Sequence, residues 1–353
     1  MGSISDNSNQ SKNLAIPPGS RLHLFSSKSY DHEFFELANK DFHFELQFHE
    51  HHLDQLTLPS IVKTGDVVCA FVNDDCQKKN LEALAKAGCR SLVLRSAGFN
   101  HVDLKIAKSL GIRIARVPAY SPYSVAEHTL ALVLALNRKI HRAYNRVREG
   151  NFNLEGLLGF DLNRKTVGII GTGKIGYCVA KIFRGFGCEV LAVDIQENET
   201  LKKLGVRYTV IEDLLRSSDI ITLHCPLSEK THHLIDEKKI GLMKKGAMLI
   251  NTSRGGLIDT KAAVKALKNG KIGHLGIDVY EEEAGIFFDD QSAKIMQDDV
   301  LARLMTFPNV LITGHQAFFT AEALRNIAEV TLCNARDLIR GDVCPNEIFG
   351  ATP

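Results

Sequence analysis

Three things are scarce in these 353 residues: charge of one sign, clustered cysteine and long apolar runs. Lys and Arg number 43 against 41 Asp and Glu, a net charge of +2. No sequence-wide positive field is therefore available to hold a nucleic-acid backbone or an anionic membrane, and a small-molecule partner is expected instead. The eight cysteines (Cys69, Cys76, Cys89, Cys178, Cys188, Cys225, Cys333 and Cys344) never stand in CxxC spacing. That argues against a zinc cluster, fits reduced thiols, and leaves no metal expected. The longest apolar stretches, such as Thr129 to Leu136, fall far short of the roughly 20 residues of a membrane span. Residues 1–20 are rich in Ser and Asn and lack both a hydrophobic h-region and the arginines of a transit peptide. A disordered tail and a cytoplasmic address are expected.

What is present is alternation. With 44% of its residues hydrophobic, the chain can bury a large core, and its length fits two domains. Apolar runs at Leu22–Phe25, Phe42–Phe48, Val67–Val72, Leu92–Arg95 and Ile112–Arg116 are separated by helix-compatible stretches, the pattern of a parallel sheet. Pro118 and Pro122 interrupt it, and Ser124–Arg148 reads as one long helix with apolar residues on one face. From Thr166 the pattern resumes with runs at Val167–Ile170, Val190–Val193, Ile220–Leu223, Met248–Ile250, Leu275–Ile277 and Val310–Thr313. Six strands with intervening helices describe a Rossmann domain, and Ala321–Ile339 reads as one more helix. The expected fold class is α/β with two doubly wound parallel-sheet domains. A flavodoxin-like substrate domain takes residues 21–120 and 319–353, and a cofactor domain takes 121–318.

The segment Val167-Gly168-Ile169-Ile170-Gly171-Thr172-Gly173-Lys174-Ile175-Gly176 is a buried strand entering GxGxxG and then a helix. Gly171 permits the tight turn, Gly173 lets the backbone approach a pyrophosphate, and Gly176 allows close packing, with a helix N-terminus facing the anion. Asp194 ends the next strand, about 18 residues past Gly176, where a carboxylate accepts hydrogen bonds from ribose hydroxyls and would repel a 2′-phosphate. NAD is therefore the expected cofactor.

Three later strands end in chemistry. Ile250 is followed by Asn251-Thr252-Ser253-Arg254-Gly255-Gly256, and the planar Arg254 fork can bind carboxylate and carbonyl oxygens together. Ile277 is followed by Asp278-Val279-Tyr280-Glu281-Glu282-Glu283, and Thr313 by Gly314-His315-Gln316. An arginine to anchor a carboxylate and a histidine beside an acid to deliver a proton are what reduction of a 2-oxo acid demands. The spacing alone leaves open which acid of the run serves. His49-Glu50-His51-His52 offers four consecutive donors that cannot all face one ion, and reads as a solvated surface.

These segments resemble the D-isomer-specific 2-hydroxyacid dehydrogenase family, with its glycine-rich turn, SRG arginine, acid after DVYE and late histidine. The resemblance runs from about Leu22 to Glu347. It is densest with the fermentative D-lactate dehydrogenase branch at Phe71-Val72-Asn73-Asp74-Asp75, Ala97-Gly98-Phe99-Asn100, Val117-Pro118-Ala119-Tyr120-Ser121-Pro122, Leu223-His224-Cys225-Pro226-Leu227 and Gly314-His315-Gln316-Ala317-Phe318. It implies that Arg254 binds the substrate carboxylate, His315 donates the proton, and Glu283 is its paired acid. It also implies that Lys174, Ile175, Asp194, Cys225, Pro226, Thr231, Thr252, Ser253 and Asp278 meet the dinucleotide. Ala97 and Gly98 match a loop whose N–H groups hold the carboxylate, and Tyr120 and Phe318 match aromatic walls suited to a methyl-sized substituent. The implied reaction is NADH-dependent reduction of pyruvate to D-lactate. Other 2-oxo acids (hydroxypyruvate, glyoxylate, phenylpyruvate) and an NAD-responsive, corepressor-like binding role stand as alternatives. A homodimer or dimer of dimers, packed through the helix after Tyr123, is implied as well.

Overall fold

Parallel strands alternating with helices build the computed structural model, which describes residues 16–283 and 285–348. They fall into two units, one of the residues up to Ser121 together with those from Thr320, the other Pro122–Phe319.

The first unit holds β1 (Arg21–Leu24), β2 (Glu45–Phe48), β3 (Val67–Ala70), β4 (Ser91–Leu94) and β5 (Arg113–Arg116). All are parallel, in the order β2-β1-β3-β4-β5, the doubly wound order of flavodoxin-like sheets. β3 and β4 are buried along their whole length, as strands covered on both faces must be. One face packs Phe25, Leu81, Leu92 and Ile114. The other packs Leu22, Phe35 and Val93 with Ala328 and Leu332 of the helix Ala321–Ile339. That helix brings the last part of the chain into this unit. It is fastened there by Arg113 Nη2 to Glu347 Oε2 at 2.6 Å and by Ile348 N donating to Ile114 O.

The expected disordered tail falls, over residues 1–15, outside the described residues. Ile16 packs against the core and Ser20 is buried. In the run His49–His52 the last three residues are exposed, as expected of a solvated surface, and His49 is half-buried. His49 stacks on Phe25 at 4.7 Å and pairs with His23 Nδ1 at 3.1 Å, while His52 meets Ser26 Oγ. Burial, aided by His23 and His51, lowers the His49 imidazole to about 4. These partners are distant in sequence, and spacing could not show them.

The second unit holds β6 (Thr166–Ile170), β7 (Glu189–Val193), β8 (Arg207–Tyr208), β9 (Ile220–Leu223), β10 (Ala247–Asn251), β11 (Ile272–Ile277) and β12 (Val310–Ile312). They form one parallel sheet in the order β12-β11-β10-β9-β6-β7-β8. The seventh strand, the two-residue edge β8, is too short to leave a periodic signal. The long helix expected over Ser124–Arg148 is two, Pro122–Arg138 and Ile140–Arg148, broken where Lys139 adopts a left-handed φ of 51°. The first buries Val125, Leu132, Val133 and Leu136. The second buries nothing.

A buried ionic knot holds the first unit. Asp66, 5% exposed, accepts from Arg21 Nε and His23 Nε2, both at 3.0 Å, and from Lys63 N at 2.7 Å. Asp66→Ala strands the buried His23 ring, a partly buried N–H and the Arg21 cation, and is expected to cost about 3 kcal/mol. A urea titration of the variant within 1 kcal/mol of wild type would refute this role.

Candidate active site

The chain runs along β6, winds outward through β7 and β8, and returns as β9 on the other side of β6, so the order in which the parallel strands are laid down reverses between β6 and β9. In open α/β sheets ligands bind at the carboxyl ends of such a pair. Gly171 turns there with φ 96°, and a Cβ on it would lie 2.6 Å from Cys225 N. A Cβ on Gly176 would lie 2.0 Å from Gly171 O, so only glycine lets the helix Lys174–Gly185 start this close to the strand. At Gly173, by contrast, a Cβ would meet nothing within 4 Å, and this N-cap supplies no side-chain cap. The first N–H groups of a 12-residue helix, with Lys174 and Ile175 in its first turn, thus face an open approach. That is an arrangement suited to a pyrophosphate.

Asp194, at the end of β7, accepts from Thr172 N and Thr172 Oγ1 on one oxygen and from Gln196 N on the other. Burial opposes its ionisation, but these hydrogen bonds outweigh it and hold the carboxyl below its ordinary range. An anionic acceptor at that position selects ribose hydroxyls over a 2′-phosphate. Opposite the turn, desolvation brings the His224 imidazole down to about 3, so it adds no cation near neutral pH. Burial pushes the Cys225 thiol up to about 11, which makes it a wall rather than a nucleophile. Thr231 Oγ1 donates to Pro226 O and Ser253 Oγ to Cys225 O, while the Thr252 hydroxyl is buried against that of Thr129. The residues present fit an NAD dinucleotide.

The three chemical segments leave neighbouring strands. β10, β11 and β12 are adjacent and parallel, so their carboxyl ends share one sheet edge at about 4.8 Å per strand. Buried Asn251 braces the loop after β10, its amide donating to Arg254 O and its oxygen accepting from Ser253 N. A Cβ on Gly255 would lie 2.1 Å from the Tyr280 backbone. The loop that carries Arg254 is thereby seated against the acidic turn after β11, and Arg254 Nη1 donates to Ser253 O at 2.6 Å.

In that turn the three acids part company. Glu283 Oε1 lies 3.0 Å from His315 Nδ1, and its Oε2 accepts from Tyr280 N. Glu281 pairs instead with His233 Nε2 at 2.5 Å and with Thr260, and Glu282 points to solvent. His315, 19% exposed, holds a left-handed φ of 55°. Its Nδ1 faces the carboxylate and must carry a proton to bond it, which leaves Nε2, without a partner among the described residues, to exchange protons outward. The Asp278 carboxylate is fully buried and spent on Thr313 Oγ1, Gln316 N and Ala317 N. These contacts join it to the histidine turn, a role that spacing gave no sign of.

His232, His233 and Glu281 lie within 4.8 Å of one another. Their imidazoles stack at 4.0 Å and 25°, so the in-plane lone pairs run side by side rather than converging on an ion. With both Glu281 oxygens engaged, the group is a bracing pair. In the first unit, the carbonyls of Ala97 and Gly98 are tied back by Arg116 and Ser96. Their N–H groups have no partner among the described residues, the posture of an anion loop. Tyr120 O accepts from Asn326, and Phe318 packs edge-on against Phe319.

Comparison with known proteins identifies the family. The family described as D-isomer specific 2-hydroxyacid dehydrogenase, NAD binding domain, matches residues 130–317. The chain belongs to this family. The D-lactate dehydrogenase of Escherichia coli is 49% identical over 93% of this chain and 99% of its own. A solved structure of the pyruvate reductase of Chlamydomonas reinhardtii superposes with a TM-score of 0.88 at 43% identity, covering 93% of this chain and 98% of its own. The D-lactate dehydrogenase of Aquifex aeolicus, solved with NAD and lactic acid, gives 0.81 at 35% identity, covering 94% and 100%. This chain is an NAD-dependent 2-hydroxyacid dehydrogenase.

The two glycines should separate folding from binding. Gly173→Ala is expected to change stability by about 0.5 kcal/mol or less yet weaken NADH at least ~10-fold, because the added methyl occupies the approach. Gly176→Ala should lose both. Fluorescence titration with NADH alongside urea unfolding reads them, and unchanged NADH affinity in Gly173→Ala would count against the dinucleotide site.

Proposed function

We propose that the enzyme reduces pyruvate to D-lactate with NADH, and that Arg254, Glu283 and His315 carry the reaction. The observation that carries this reading is the 3.0 Å pairing of Glu283 with His315 Nδ1, one strand away from a braced arginine. The names of the E. coli, C. reinhardtii and A. aeolicus relatives support the choice of substrate.

In the reduction Arg254 holds the substrate carboxylate and polarises the carbonyl. Protonated His315 gives its Nε2 proton to the carbonyl oxygen, which becomes the hydroxyl. Glu283 fixes the ring and stabilises its charged form before the transfer. When bound, NADH supplies the hydride that C2 receives, so one hydride and one proton convert the 2-oxo acid to the 2-hydroxy acid. We assign Ala97, Gly98, Tyr120 and Phe318 to holding the substrate.

Arg254→Gln is expected to raise the pyruvate KM by ~100-fold or more and also to slow turnover, whereas His315→Gln should mainly lower kcat. Wild-type kcat in His315→Gln would remove the proton-donor assignment. A steady-state panel of pyruvate, hydroxypyruvate, glyoxylate and phenylpyruvate with NADH and NADPH decides the substrate. Absence of turnover with every acid would favour a binding role.

We also propose that the protein works in the cytoplasm as a homodimer. The helix Pro122–Arg138 is largely consumed by its own unit, and the exposed apolar surface follows it: Ile140, Tyr144, Val147, Phe152, Leu154 and Leu158. So dense an apolar stretch fits a partner copy. Light scattering is expected to give twice 39.0 kDa or a multiple, and Tyr144→Glu with Leu158→Glu to give the monomer. A monomeric wild type would overturn this.

A further inference from the structure

We infer that His128 is a positioning residue of the reaction, a second histidine that acts on His315 through the buried carboxylate of Asp278. The inference rests on the assignment of His315 as proton donor.

His128 lies on the helix Pro122–Arg138, its side chain 17% exposed. Its Nε2 is 3.0 Å from Thr313 Oγ1 and 3.4 Å from Asp278 Oδ1. The proton inventory fixes the direction. Thr313 has one hydroxyl hydrogen, and its 2.5 Å contact with Asp278 Oδ1 uses it. Nε2 of His128 must therefore carry a proton and donate it to this pair.

Asp278 in turn grips the histidine turn at three consecutive residues. Its backbone O accepts from His315 N at 2.7 Å, Oδ1 from Gln316 N at 2.9 Å and Oδ2 from Ala317 N at 2.8 Å. The gripped residue has a left-handed backbone, a conformation that costs a non-glycine residue about 1 kcal/mol or more and persists only when its surroundings impose it. Asp278 has no exposure to solvent, and among the described residues His128 is its one ionisable donor within 4 Å. Without His128 the carboxylate keeps its burial and loses compensation from that side. The turn that aims His315 at Glu283 is what gives way.

The clasp also joins two places far apart in sequence. The helix starts at Pro122, the first residue of its unit, and the gripped turn ends two residues before Phe319, the last. The segments by which the chain enters and leaves this unit are tied by the His128 imidazole, through Thr313 and Asp278.

The test is steady-state kinetics of His128→Ala, His128→Gln and His315→Gln with pyruvate and NADH, plus NADH binding by fluorescence. Misplacing a proton donor by about 1 Å costs on the order of 100-fold. His128→Ala is therefore expected to lower kcat by ~10–100-fold, with the pyruvate KM and NADH affinity within ~3-fold of wild type. The isotope effect on kcat with NADH deuterated at the transferred position should rise. Glutamine, whose amide can donate to the same pair, should recover most of the loss. Wild-type kcat in His128→Ala overturns the inference. So does a loss shared equally by NADH binding, unfolding stability and kcat with no recovery by glutamine, which marks a merely structural residue. If His128→Ala does not fold, His128→Gln and Thr313→Val carry the same comparison. Wild-type kcat in His315→Gln instead removes the underlying proton-donor reading and is thereby distinguished.

Discussion

Everything chemical in the second unit depends on β10, β11 and β12 being neighbours in one parallel sheet. Parallel strands end on the same side, so residues 254, 278–283 and 315 arrive at one edge although more than a helix separates each from the next in sequence. An antiparallel partner anywhere in this trio would send one segment to the opposite edge. The strands themselves are ordinary buried apolar runs. What makes them a site is the loops that follow, which carry the polar residues the strands cannot.

Those loops are held by close backbone approach rather than by long side chains. Gly255 abuts the Tyr280 carbonyl and Gly171 the chain at Cys225, each closer than a Cβ would permit. The buried amide of Asn251 and the hydroxyl of Thr313 then fix the segments that follow β10 and β11. The side chains proposed to react, Arg254 and His315 among them, are left partly exposed. Such a division fits catalysis, in which the frame must not move and the reacting groups must be reachable.

Much of this was legible beforehand, and the reason is periodicity. Buried strands of four to six residues and a helix such as Ala321–Ile339 leave apolar patterns, and GxGxxG after a strand states its own geometry. The break at Lys139 left none, because a lysine in left-handed conformation carries no composition mark of the kind glycine would. β8 is too short to repeat. The sorting of Glu281 from Glu283 was beyond spacing, since residues two apart in an irregular turn have no fixed relation, and only family resemblance pointed to Glu283. The partners of Asp278 were hidden for another cause: His128 is 150 positions upstream, and nothing local to either residue announces the pairing.

The turn after β11 contains two imidazole–carboxylate pairs, and their geometry separates chemistry from bracing. His233 meets Glu281 through Nε2, the nitrogen farther from its own backbone. The nitrogen it has left, Nδ1, sits beside its own chain, where a substrate atom has little room. His315 meets Glu283 through Nδ1, so its distal nitrogen is the one turned outward. Glu281 is further committed to Thr260, and His233 N to Gly256 O, which locks that pair to the arginine loop. Two pairs of identical composition are thus suited to opposite roles, because they are bonded through opposite nitrogens. A proton donor needs its acid behind the ring and its free nitrogen in front, and of these two histidines only His315 is built that way.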